Sequence, residues 1–167
     1  MTRWFPLALL MSACLASSSD PQESPNAAEP PLCSVVFTPA GDIAELVESA
    51  ALQWSEATGC DVHLGEGGVP VRFVDRILDA HGNPQCAATY RLRDDAGVIL
   101  GADRIEVSTN RGDRCHLAAR DVLHEMGHAL APHRAHTTEG LMAPVPNGVD
   151  YVDEVSRAYI CGELACY

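Results

Sequence analysis

The chain has 167 residues, 47% of them hydrophobic, and a formal net charge of -12. That length holds one ordinary domain with a real core and hardly two. Lys and Arg number 11 and are scattered, so no basic stripe is available to neutralise phosphates, which argues against nucleic acid as a partner.

The first residues, "MTRWFPLALLMSAC", combine a positive start at Arg3, an apolar run from Trp4 to Met11 and small residues at Ser12 and Ala13. This is the grammar of an export signal, residues 1–13, and the run is too short to span a bilayer. "MSAC" resembles the bacterial lipobox, in which the Cys after a small residue is lipidated. The resemblance implies Cys14 as the lipid attachment point, and an exported protein held on the membrane by that anchor alone, facing the periplasm or the cell surface. An ordinary secretory signal is the alternative. Residues 14–32 are rich in Ser, Pro, Ala and acid without apolar periodicity, and read as a flexible tether. The folded domain is then 33–167.

"CSVVFTP" is a short β-branched strand. In "GDIAELVESAALQWSEATGC" the residues Ile43, Leu46, Val47, Ala50 and Trp54 fall on one helical face, Asp42 and Glu45 form a capping-box pair, and Gly59 closes the end. "VPVRFVD", "ATYRL", "GVILG" and "RIEVST" follow as strands separated by Gly, Asn, Pro and Asp. A second helix runs from about Leu117 to Ala131 and is stopped by Pro132. Asp150 is placed to cap a last helix through about Ile160. The order predicts an α+β domain: a mixed twisted sheet with a long N-terminal helix, an active-site helix and a C-terminal helix.

Setting Cys14 aside leaves Cys33, Cys60, Cys86, Cys115, Cys161 and Cys166, an even number that in an exported chain implies three disulfides. The favoured pairing is Cys161 with Cys166, Cys86 with Cys115, and Cys33 with Cys60. No pair has the C-x-x-C spacing of a thiolate zinc site.

The second helix carries the chemistry. His124 and His128 are four apart, one turn apart on a single helical face, where two imidazoles can converge on one ion. Glu125 points about 100° away from His124. In an H-E-x-x-H arrangement it stands beside the ion without binding it, where it can take a proton from water. Gly127 sits mid-helix at a cost of roughly 1 kcal/mol relative to Ala, which implies that another backbone packs close. A surface helix with incidental histidines is the plainer alternative.

"HEMGHAL" followed by "GLMAP" resembles the metzincin metallopeptidases over roughly Asp121 to Pro144. The resemblance implies a small zinc peptidase domain, a Zn2+ cofactor, peptide or protein substrates, His124 and His128 as ligands, Glu125 as general base, and Met142 in a Met-turn beneath the metal. The family's third ligand is a His in the turn beyond the helix. Here the pattern's Gly falls at Ala131 and its last ligand at Arg134, which cannot serve. A two-residue insertion in "APHRAH" would bring His136 to the ion instead, and His136 is the favoured third ligand. His133 directly follows the helix-breaking Pro132, and Glu154 would complete a thermolysin-like site; both stay open.

The expected function is a zinc-dependent endopeptidase. The alternative is a non-catalytic, zinc-containing surface binding protein that has kept a peptidase fold. Lesser candidates are Tyr151, able to hydrogen-bond a tetrahedral intermediate or simply a rim tyrosine; Asp121, an outer carboxylate or a first-turn helix acid; and "RIEVST", a cleft-lining strand or only an edge. Glu139, His63, His81 and His116 read as solvated or satisfied side chains.

Overall fold

The computed structural model describes residues 33–110, 115, 118–145, 147–164 and 166; the export signal, the tether, Cys14 and His116 lie outside them. Strand β1 (Ser34–Ala40) leads through a 3-10 turn (Gly41–Ile43) into helix α1 (Ala44–Thr58), which returns the chain to β2 (Asp61–Leu64), parallel to β1. Two parallel neighbours need such a crossover. The Asp42 and Glu45 pair makes no side-chain cap, because the helix is entered through the 3-10 turn. Gly59 does close it: at φ 72 its N–H returns to the Ser55 carbonyl at 2.9 Å, a conformation glycine adopts without strain.

The remaining strands are β3 (Val69–Val74), the short β4 (Ile77–Leu78) and β5 (Pro84–Gln85), β6 (Ala87–Arg93) and β7 (Ile99–Ser108). The main sheet has the order β2-β1-β3-β7-β6, parallel except for β6, which pairs antiparallel with β7. The sheet is mixed, as expected. Ile99–Gly101 of "GVILG" and Arg104–Ser108 of "RIEVST" belong to one strand, β7, which lies inside the sheet between β3 and β6. "RIEVST" is therefore no edge; among the described residues "ATYRL", in β6, is.

Helices α1 and α2 (Ala118–Leu130) pack against each other, α1 on β2 and α2 on β6 and β7. Phe37, Val71, Ile105 and Val107 from the sheet meet Val47 and Trp54 of α1 and Val122, Leu123 and Met126 of α2 in one core. The apolar periodicity of α1 marks its buried face as expected, with Leu46 at the margin. Helix α2 is buried from Arg120 to Leu130, which excludes the surface-helix alternative. It ends before Pro132, whose ring disfavours helical geometry at Ala131.

The last helix, α3 (Glu154–Cys161), starts later than expected, capped by Asp153 and not Asp150. The Asp153 carboxylate accepts from the Val155 and Ser156 N–H groups at 3.0 and 3.2 Å. The three disulfides are Cys33–Cys60, Cys86–Cys115 and Cys161–Cys166, the favoured pairing. Such bridges suit an extracellular or exported chain. No helix among the described residues is long and apolar enough to cross a membrane.

Candidate metal centre

The buried face of α2 presents two rows of polar side chains one turn apart: Arg120, His124 and His128 in one, Asp121 and Glu125 in the other. Beyond the helix the chain breaks at Pro132 and comes back with His136. His124, His128 and His136 each offer a ring nitrogen, and the three nitrogens lie within 4.8 Å of one another. The Nε2 atoms of His128 and His136 are 3.1 Å apart. In a tetrahedral zinc site with Zn–N of 2.0–2.1 Å, two ligand nitrogens stand roughly 3.3 Å apart, so this edge of the cluster already has the spacing of a metal shell.

His133 does not join the cluster. Its Nδ1 meets the Glu163 carboxylate at 2.6 Å and its Nε2 the Ile99 carbonyl at 3.1 Å. The next residue, Arg134, lays its guanidinium over the Tyr159 ring and lies 3.9 Å from Glu163, while its carbonyl accepts from Arg91 at 3.0 Å. With His133 and Arg134 drawn towards α3 and the sheet, the chain carries His136 to the two helical histidines. Glu154 is exposed at the start of α3, 3.4 Å from Arg157, and outside the cluster. A thermolysin-like completion by Glu154 is not what the fold builds.

The rings are held in the form a metal needs. Burial pushes the His124 imidazole down to about 4 and His128 down to about 3, and lowers His136 as well, with the neighbouring histidines and Arg91 adding to the effect. All three are neutral at pH 7, and neutral imidazole is the ligating species. His124 Nδ1 lies 2.7 Å from the Leu141 carbonyl. Nδ1 must be the donor there, which leaves the Nε2 lone pair for an ion and fixes the ring. The donor set therefore fits a metal ion. Imidazole alone does not identify it, since zinc, copper, iron and nickel all accept it.

No family model matches the chain, and no curated protein matches it either. The chemistry of the site has to be read from its own geometry.

Glu125 lines the same cavity, a space of about 730 Å³ between α2, β6 and the segment around Pro144 and Val145. Thr89 of β6 places its hydroxyl 2.8 Å from Glu125 Oε2 and 2.8 Å from the Glu125 carbonyl. Burial pushes the Glu125 carboxyl up to about 7, against the downward pull of the Thr89 hydrogen bonds and of Arg120; Asp121 adds to the rise. Such a carboxyl can both accept and release a proton near neutrality.

Met142 is fully buried and packs against Gly127, between the two helical histidines: a Cβ built on Gly127 would stand 2.5 Å from Met142 Sδ and 2.8 Å from Trp54 Cζ2. Gly127 thus makes room for side chains, where another backbone was expected. Asp153, the cap of α3, and Ser156 within it hold the turn in place. The Leu141 N–H donates to Asp153 at 2.7 Å and the Met142 N–H to the Ser156 hydroxyl at 3.1 Å, while Gly140 takes φ 77 against the Asp153 carboxylate.

Sequence reasoning missed Thr89, the Leu141 carbonyl and Asp153. Each acts on a residue 12 to 36 positions away, and no local pattern marks it. Asp121 lines the cavity, as an outer carboxylate would. Tyr151 is exposed and outside the cavity, Glu139 is exposed in its loop, His63 pairs with Asp61 and His81 sits in an exposed turn.

Proposed function

We propose that this protein is a zinc-dependent endopeptidase of metzincin type, exported and anchored through lipid on Cys14. The observation that carries the reading is the convergence of His124, His128 and His136 in one cavity with the buried carboxyl of Glu125. Three protein ligands with space for a fourth is the pattern of catalytic zinc, whereas structural zinc closes its shell with four. Held by the three histidines, zinc would supply a Lewis acid that lowers the pKa of water and polarises a carbonyl.

The chain's own residues do the rest. Glu125 takes the proton of the attacking water on its carboxylate and gives it to the departing amine. Thr89 steadies Oε2 for that exchange, and the Leu141 carbonyl keeps His124 in its ligating tautomer. Strand β6, paired only with β7 among the described residues, offers its other edge to an extended peptide along the cavity wall.

The test is metal analysis of the purified protein together with cleavage of a peptide library. Near-stoichiometric zinc, cleavage abolished by chelator, and loss of cleavage in Glu125→Ala with zinc retained are expected. Absence of bound metal after zinc loading removes the proposal, and zinc without any Glu125-dependent cleavage assigns the protein to the non-catalytic binding class.

A further inference from the structure

Arg120 is 5% exposed, yet it lines the same cavity as the three histidines. It stands one helical turn before His124 on the same face, about 6 Å along the helix axis. Its Nη2 lies 3.3 Å from the Leu141 carbonyl, the oxygen that also accepts from His124 Nδ1, and its Nε donates to the Val149 carbonyl at 3.1 Å. The guanidinium is thereby held by two neutral acceptors against the wall of the site. Among the described residues the carboxylates that act on it are Asp121, whose Oδ1 lies 3.9 Å from Nη1, beyond hydrogen-bond reach, and Glu125.

A buried cation is costly unless an anion meets it with good hydrogen-bond geometry. Guanidinium presents a planar fork of donors matched to carboxylate. Ala87, Ala88, Pro144 and Val145 add apolar surface to walls that also carry Arg91 and Asp121, and apolar surroundings strengthen a charge pair formed beside them. We infer that Arg120 makes this cavity a carboxylate-binding pocket, so that the favoured peptide carries a carboxylate one residue beyond the carbonyl attacked at the histidine cluster. That carboxylate is either an Asp or Glu side chain or the peptide's own C-terminus. The inference deepens the peptidase reading and rests on it. It also opposes what the net charge of -12 suggests at long range: the acidic surface would favour basic peptides, and the local cation selects against them.

The test is equilibrium binding of acetylated octapeptides, four alanines, a variable residue and three alanines, to the zinc-loaded Glu125→Ala protein. The variable residue is Glu, Gln or Lys, with the C-terminus free or amidated. One charge-assisted hydrogen bond predicts that the carboxylate form binds about 10-fold or more tightly than its neutral counterpart. Glu over Gln in the amidated series identifies the side chain as the source; free acid over amide with Gln identifies the C-terminus. Adding Arg120→Gln should erase the contrast, and Arg120→Lys should keep part of it. The contrast in the parent protein stands even if neither variant folds. Preference for Lys, equal binding of acid and amide in both comparisons, no binding of any peptide, or a contrast unchanged in a folded Arg120→Gln protein would overturn the inference. A Glu125-intact protein that binds carboxylate peptides and cleaves none would instead sink the peptidase reading and leave the pocket standing.

Discussion

Gly127→Ala sets two effects of opposite sign against each other. Alanine is the better helix former by roughly 1 kcal/mol, so in an open helix the change would stabilise. Here the added Cβ would stand 2.5 Å from Met142 Sδ, 3.0 Å from Met142 Cε and 2.8 Å from Trp54 Cζ2. A thioether on a free side chain would swing aside, but Met142 is fully buried, and the Trp54 ring is fixed by its Nε1 bond to the Leu123 carbonyl at 2.9 Å. Overpacking a well-filled core costs about 1–3 kcal/mol, which leaves a net destabilisation of roughly 0–2 kcal/mol once the helix gain is subtracted. Urea denaturation of the single variant gives the sign. The sharper measurement is the cycle with Met142→Ala, which removes two of the three close contacts. In that background Gly127→Ala should cost less by about 1 kcal/mol or turn stabilising, a coupling of the size seen for residues in contact. Additive effects, or a variant more stable by the full helix gain in the native background, would refute the packing described for the turn. Because the same turn carries the Leu141 carbonyl that orients His124, zinc affinity should fall together with stability.

Other consequences follow from named contacts. His136→Ala should lower zinc affinity by orders of magnitude while His133→Ala leaves it nearly unchanged, measured by competition with a chromophoric chelator; the reverse order would mean that His133 supplies the third ligand. Asp153→Ala removes acceptors for the N–H groups of Leu141, Val155 and Ser156 and should cost about 2–4 kcal/mol in denaturation, a lost cap plus a lost charged hydrogen bond. Burial works to raise the Asp153 carboxyl, but the hydrogen bonds from Leu141 and Ser156 outweigh it and hold the group below its ordinary value. Its stabilisation is therefore present above about pH 4 and fades as pH falls through the lowered folded value, so the destabilisation by Asp153→Ala should shrink in acid. His133 behaves in the opposite sense. The hydrogen bond to Glu163 and then that to Ile99 raise its imidazole, so the contact stabilises fully below about pH 6.5 and is lost as pH rises through the raised folded value. Glu163→Gln should destabilise more at pH 6 than at pH 8, as thermal melts will show.

Helix α1 and strands β1 and β3 were legible because their signals are local. One face of α1 is apolar, Gly59 ends it, and β-branched runs mark the strands. Strand β7 read as two pieces because Gly101 looked like punctuation, whereas pairing with β6 carries the strand through it. Strand β2 went unread because four residues, of which only Val62 is buried, show no pattern until β1 lies beside them. Likewise the capping pair at Asp42 and Glu45 satisfied a local rule that the 3-10 entry made unnecessary.

At the site, the division between legible and illegible follows the range of the force that fixes each residue. His124, Glu125 and His128 are set by helix periodicity, and their spacing suffices to find them. The third histidine is set by what happens to the two residues before it. His133 is drawn to Glu163 and Ile99, and Arg134 to Tyr159 and Glu163, partners that only the folded chain brings near. Spacing could rank His136 above His133, and only these contacts decide between them. The same contacts tie the cluster to the end of the chain: Glu163 lies inside the Cys161–Cys166 loop, and Asp153 and Ser156 hold the turn beneath α2. The short terminal helix is therefore part of the centre, because it anchors both the segment that delivers His136 and the carbonyl that aligns His124.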